Sequence, residues 1–138
     1  MKIPVLISLL LLTSFMVMAG PPPEAVTSAF NKKFPTVTKP KWEKENTNEW
    51  EAAFMIGDKK ASASFSGDGQ WLETEVEIDP SHLPQSVSAA IKKANPDATI
   101  IESARIMNSK SEILYEADLK TGSKRTEVIY KEDGTFVK

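Results

Sequence analysis

An α+β fold made of two copies of one helix-plus-four-strand unit is what this sequence predicts, on three observations. First, the pattern Trp50-Glu51-Ala52-Ala53-Phe54 returns as Tyr115-Glu116-Ala117-Asp118-Leu119: an aromatic, Glu, Ala, any residue, a large apolar one. Second, the spacing persists downstream, because Phe65 and Tyr130, Asp68 and Asp133, and Trp71 and Phe136 are separated by 65 positions, as Trp50 and Tyr115 are. Third, a helix-period apolar stripe precedes each copy, and Val26 to Val87, Phe30 to Ile91 and Pro35 to Pro96 share an offset of 61. Spacing held over this length marks an internal duplication. It fixes a fold class and names no substrate.

The chain begins with Lys2 and an uncharged apolar run from Val5 to Met18, then Val17-Met18-Ala19 before Gly20. A basic start, a short apolar stretch and small residues before a cut describe a secretory signal peptide over residues 1–19. The run is shorter than the roughly 20 residues that span a bilayer, so no membrane anchor is expected after cleavage. With no Cys in the chain, neither a lipid anchor nor a disulfide is available. The formal charge of −2 becomes −3 once Lys2 is removed. Mild acidity without a basic cluster argues against nucleic acid as a partner.

Pro21-Pro22-Pro23 forms a stiff lead-in. The first helix follows over Glu24 to Phe34, with Val26, Phe30 and Phe34 on one stripe, and Pro35 stops it. Strands are expected at Lys41 to Glu45, Glu49 to Ile56, Lys60 to Phe65 and Trp71 to Ile78. In the second of these Trp50, Ala52, Phe54 and Ile56 take one parity, while Glu51, Ala53 and Met55 take the other. Such alternation belongs to a sheet with one covered face. Gly57-Asp58 and Gly67-Asp68-Gly69 make tight connections, and type I′ turns account for Asp68-Gly69 and Asp133-Gly134. The unit then starts again at Leu83-Pro84, with Val87, Ala90, Ile91 and Ala94 as the stripe and Asn95-Pro96 as the stop. Strands follow at Ile100 to Met107, Ile113 to Leu119, Lys124 to Tyr130 and Thr135 to Val137. The offset grows from 61 to 65, which places four extra residues near Asn108-Ser109-Lys110-Ser111. The units are therefore expected at 20–80 and 81–138.

A helix ending in Phe34-Pro35, the motif Trp50-Glu51-Ala52-Ala53-Phe54, Asp68-Gly69-Gln70-Trp71 and Leu83-Pro84 opening the next helix together resemble the PepSY-like, β-lactamase-inhibitor-like exported proteins. The resemblance runs from about Glu24 to Lys138. It implies two tandem units whose sheets lie side by side as one curved surface, with the helices on one face. It also implies protein binding, or peptidase inhibition, through the open face of the sheet. The chain lacks the disulfide of the β-lactamase inhibitor and shows no match to its contact loops, so β-lactamase is not carried over as the target.

The residues offer little for catalysis. His82 is the single histidine, which removes every triad and multi-His metal site, and it belongs to the turn before the second helix. The serines are scattered, and none occupies a nucleophile elbow. No enzyme activity, no cofactor and no metal centre are expected. Glu73, Glu75 and Glu77 alternate on one strand, with Asp79 and Glu51 as neighbours; they read as solvated edge acids rather than a calcium site, since such sites use loops that wrap the ion. Trp50, Phe54, Phe65, Tyr115 and Tyr130 are assigned to the core, and Trp71 and Phe136 to its closure. Ser103 stands at the repeat position of Trp42, so the fold does not demand a ring there; Trp42 either anchors a partner or packs on the end of the first helix.

The open face is expected to carry Glu51, Ala53, Met55, Ser62 and Ser64, with Leu114, Glu116, Asp118, Glu127 and Ile129. Trp42, Glu51, Ala53, Met55, Ser62, Leu114, Glu116, Asp118 and Glu127 are the candidate partner contacts. A mixed surface of small residues, Met and scattered charge suits protein contact better than catalysis. The expected function is a periplasmic or secreted binding module, with inhibition of a peptidase or hydrolase as its specific form and a protein or peptide of the cell envelope as partner. The alternative is a small-molecule or ion carrier using the cleft between the repeats.

Overall fold

The computed structural model describes residues 20–138; the expected signal peptide lies outside the described residues. Helix α1 (Glu24–Lys33) is followed by β1 (Lys41–Asn46), β2 (Glu49–Ile56), β3 (Lys59–Ser66) and β4 (Trp71–Ile78). A 3-10 turn over Pro80–His82 leads into α2 (Gln85–Ala94), then β5 (Thr99–Asn108), β6 (Ile113–Thr121) and β7 (Lys124–Lys131). All seven strands form one antiparallel sheet in sequence order. No described helix is long and apolar enough to cross a membrane.

Each helix starts and stops as its prolines dictate. Pro23 and Pro84 precede the first turns, where a missing N–H costs nothing. Phe34 and Asn95 then close the last turns by donating to the carbonyls of Phe30 and Ile91 at 2.8 Å. Leu83, expected inside α2, instead precedes it and packs into the core beneath.

Directly paired residues share a sheet face, so the register locates both layers. Ala61, Val76, Arg105, Tyr115 and Tyr130 form one continuous row across β3 to β7. That row lies on the face where both helices pack. Under α1, Val26 and Phe30 meet Trp50, Ala52, Phe54, Ala61, Ala63 and Phe65. Under α2, Leu83, Val87 and Ile91 meet Tyr115, Ala117, Leu119, Val128 and Tyr130. The core aromatics are therefore where their parity puts them.

Four expectations are corrected. The two sheets are one, joined where β4 and β5 pair from Glu73–Asn108 to Ile78–Ser103. An eighth strand over Thr135 to Val137 is absent; the second half has three strands, and beyond them only an isolated bridge between Tyr130 and Phe136. The tandem four-strand unit thus gives way to a seven-stranded curled sheet. Phe136 touches Tyr130 at 5.4 Å between ring centroids but is 61% exposed, and it closes no core. The Asp-Gly turns are not type I′ either, since that type needs positive φ at both central residues. Only Gly69 and Gly134 have it, at 89° and 86°. Both glycines lie over a helix start: a Cβ would come within 2.5 Å of the Ala25 carbonyl oxygen at Gly69, and 2.7 Å from that of Ser86 at Gly134.

Candidate functional site

The sheet face away from the helices is organised by three further rows. Glu51, Ser64, Glu73 and Asn108 pair in succession, as do Ala53, Ser62, Glu75, Ile106 and Leu114. Glu102, Asp118 and Glu127 form the third, next to Ala104, Glu116 and Ile129. Of the nine candidate contacts, Glu51, Ala53, Met55, Ser62, Leu114, Glu116, Asp118 and Glu127 share this face. Trp42 does not. It registers with Ala52 on the helix side and meets the Phe30 ring edge-on at 5.3 Å, so packing on α1 accounts for it.

This face is less open than the alternation implies. Glu51, Ser62, Ser64, Glu73, Leu114, Glu116 and Ile129 are buried, and Ile106, Leu114 and Ile129 form a small apolar cluster of their own. Among the described residues no helix covers them: α1 and α2 pack on the other face. The curl of the sheet turns its inner face towards itself, as accumulated strand twist does in a wide sheet. What stays accessible is a cleft of about 380 Å³ spanning the join of the two halves. Glu75, Glu77, Glu102, Glu116 and Asp118 line it, with Lys60 and Arg125 as its cations. Met55 lies outside it and is 52% exposed.

The electrostatics of the cleft follow from burial among like charges. Burial first, then the Glu49 and Glu51 carboxylates, push the Glu73 carboxyl up from 4.5 to about 7. Glu75 and Glu116 are pushed up further still, in each case by burial before anything else. Glu51 leads the charges acting on Glu75, and Glu75 leads those acting on Glu116. Asp118 and Glu127 are raised too, although Arg125 pulls Asp118 down and Lys138 pulls Glu127 down. Lys138 Nζ lies 3.4 Å from Glu127 Oε1. Glu116 Oε2 and Glu127 Oε2 are buried with no hydrogen-bond partner. One oxygen from each of Glu116, Asp118 and Glu127 comes within 4.8 Å of the others.

Glu73 and Glu75 correct the reading of this strand as solvated edge acids. They sit on β4, the middle strand of seven, and are sheltered by it. The signal was available in outline, since fusing two meanders at their junction must put β4 inside. Asp79 stays out of the cluster: it accepts from the Ser81 N–H at 2.8 Å and caps the 3-10 turn. His82 is exposed in that turn. The cleft therefore offers proton-holding carboxyls, serine hydroxyls and two flanking cations.

No curated protein matches the chain. Solved structures do match in fold. A protein of Bacteroides eggerthii described as "putative periplasmic" superposes with a TM-score of 0.77 at 15% identity, over 86% of this chain and 88% of its own. A DUF2874 family protein from Bacteroides ovatus gives 0.74 at 18% identity, over 87% of each chain. A BLIP-like protein from Bacteroides fragilis gives 0.68 at 22% identity, over 87% of this chain and 86% of its own. Residues 48–138 match the family model described as "Putative beta-lactamase-inhibitor-like, PepSY-like". A curled seven-stranded sheet with both helices behind it, matched over most of its length by that model, belongs to the PepSY-like, β-lactamase-inhibitor-like family.

Proposed function

We propose that this chain is an exported, non-catalytic binding module that receives a segment of a protein partner on the inner face of its curled sheet. The observation that carries the reading is the acid-lined cleft on the face the helices leave free. Five carboxyl side chains converge there, and a cationic side chain entering from a partner would take the place of the protons they hold. Exposed Met55 near the end of β2 supplies an apolar contact on the same face, outside the cleft. Family likeness to inhibitor-like proteins and to a periplasmic neighbour supports an address in the periplasm or outside the cell. Inhibition of a peptidase or hydrolase is the specific form proposed.

The test is affinity capture from the cell envelope with immobilised residues 20–138, alongside Glu75→Lys and Met55→Asp variants of unchanged helical circular dichroism. A partner retained by the parent and lost with both variants is expected, with retention weakening as salt rises. Equal capture by all three proteins, or no reproducible partner, would overturn the reading.

A further inference from the structure

We infer that Glu116, Asp118 and Glu127 form a binding site for a hard divalent cation of the calcium type, at the β6–β7 end of the inner face. Strand geometry builds the site. Glu116 and Asp118 are two apart on β6 and so point to one side, and Glu127 on β7 is the direct cross-strand partner of Asp118. One oxygen from each lies within 4.8 Å of the other two. Calcium–oxygen distances of about 2.3–2.6 Å place ligands on opposite sides of one ion roughly 5 Å apart, so a single ion can touch all three without moving the backbone.

The second observation is separate from the clustering of acids. Glu116 is 8% exposed and the Glu127 side chain 7%, yet Oε2 of each is buried without a donor. Leaving such an oxygen unpaired costs more than a typical hydrogen bond returns. Lys138 bonds only Oε1 of Glu127, so Oε2 is left without a donor. A cation held among the three acids would supply the partner that these two side chains lack. The donor set is carboxylate alone, which selects calcium, magnesium or manganese over zinc and copper. Water would complete the shell on the side of half-exposed Asp118. Glu75 and Glu102 add negative potential from β4 and β5, opposed by Arg125 and Lys138.

The experiment uses chelator-treated residues 20–138, titrated with calcium chloride by calorimetry at neutral pH. We expect a dissociation constant of about 0.1–1 mM, the range of extracellular modules. The melting temperature should climb with calcium concentration. Asp118→Asn with Glu127→Gln should weaken binding at least about tenfold, whereas Glu132→Gln on the exposed surface should not change it. If the double variant does not fold, Asp118→Asn alone is read in the same way. The inference is overturned by absent heat and a flat melting temperature with calcium, magnesium and manganese up to about 10 mM. It is equally overturned by a variant that binds as tightly as the parent. Capture of a protein partner does not enter either outcome, so the two readings fail separately.

Discussion

Phe54 stands with its ring centroid 5.2 Å from that of Phe30 and 4.7 Å from that of Phe34, while its neighbour Met55 points to the other side. Phe54→Ala should therefore cost roughly 3–5 kcal/mol, and Met55→Ala less than about 1 kcal/mol. Urea midpoints at an unchanged slope would measure both; equal losses would refute the assignment of faces. That assignment was legible in the sequence because alternation in β2 is uninterrupted. Trp42 was not. The ring sits on an edge strand, with the end of α1 free to receive it. Its repeat counterpart Ser103 lies on an inner strand and donates to the Ile78 carbonyl at 2.8 Å. Edge and interior positions have different space, and a one-dimensional repeat carries no record of that difference.

At the scale of elements, turns and helices depend on each other. The loops that follow β3 and β7 both lie over the first turn of a helix, at Gly69 and Gly134. Gly69→Ala would add a methyl that meets the Ala25 carbonyl and would keep a positive φ that side chains resist. We expect a loss of about 1–3 kcal/mol in thermal unfolding. Gly20→Ala, in open space, should change nothing measurable. The helices, the turn positions and all seven strands were readable to within two residues, because periodicity and Pro or Gly punctuation are local signals. The expected eighth strand over Thr135 to Val137 was the exception, since only an isolated bridge between Tyr130 and Phe136 forms there. Pairing with β4 carries β5 as far as Asn108, whereas among the described residues nothing pairs with the chain beyond β7 along a full strand. Partner strands settle strand length, and those are remote in sequence.

For the whole molecule, the acids of the inner face couple folding to pH. In the folded chain Glu73 holds its proton up to about 7, with Glu75 and Glu116 holding theirs higher, against 4.5 for an ordinary glutamate. The folded state thus binds more protons than the unfolded one once pH exceeds about 4.5, and stability must fall as pH rises. It is fully present below that value and lost through pH 7 and above. The melting temperature at about pH 5.5 should exceed that at about pH 8.5 by 5 °C or more, the effect of roughly 1 kcal/mol in a domain of this size. Glu116→Gln should flatten the profile and raise the alkaline limb. A profile that rises with pH would show these carboxyls to be ionised and solvated.

One sheet also means one transition. Trp42, Trp50 and Trp71 report on the first half and Tyr115 and Tyr130 on the second, so tryptophan and tyrosine fluorescence should lose their native signals at the same denaturant concentration. A gap between the two midpoints would mean that the β4–β5 join is too weak to bind the halves into one unit.

A meander that never closes into a barrel keeps two unpaired margins, and the chain guards them differently. The first, β1, carries Lys41, Glu43, Lys44 and Glu45, and charge of this density discourages another strand from docking. The second, β7, is rich in Val128, Ile129 and Tyr130. There the final residues act as a short stopper: Val137 donates to the Ile129 carbonyl at 2.8 Å, and the Ile129 N–H returns a bond to the Lys138 carbonyl at 2.9 Å. Trimming residues 135–138 should leave a sticky apolar border, and light scattering on concentrated samples should then detect end-to-end polymers that the intact chain does not form.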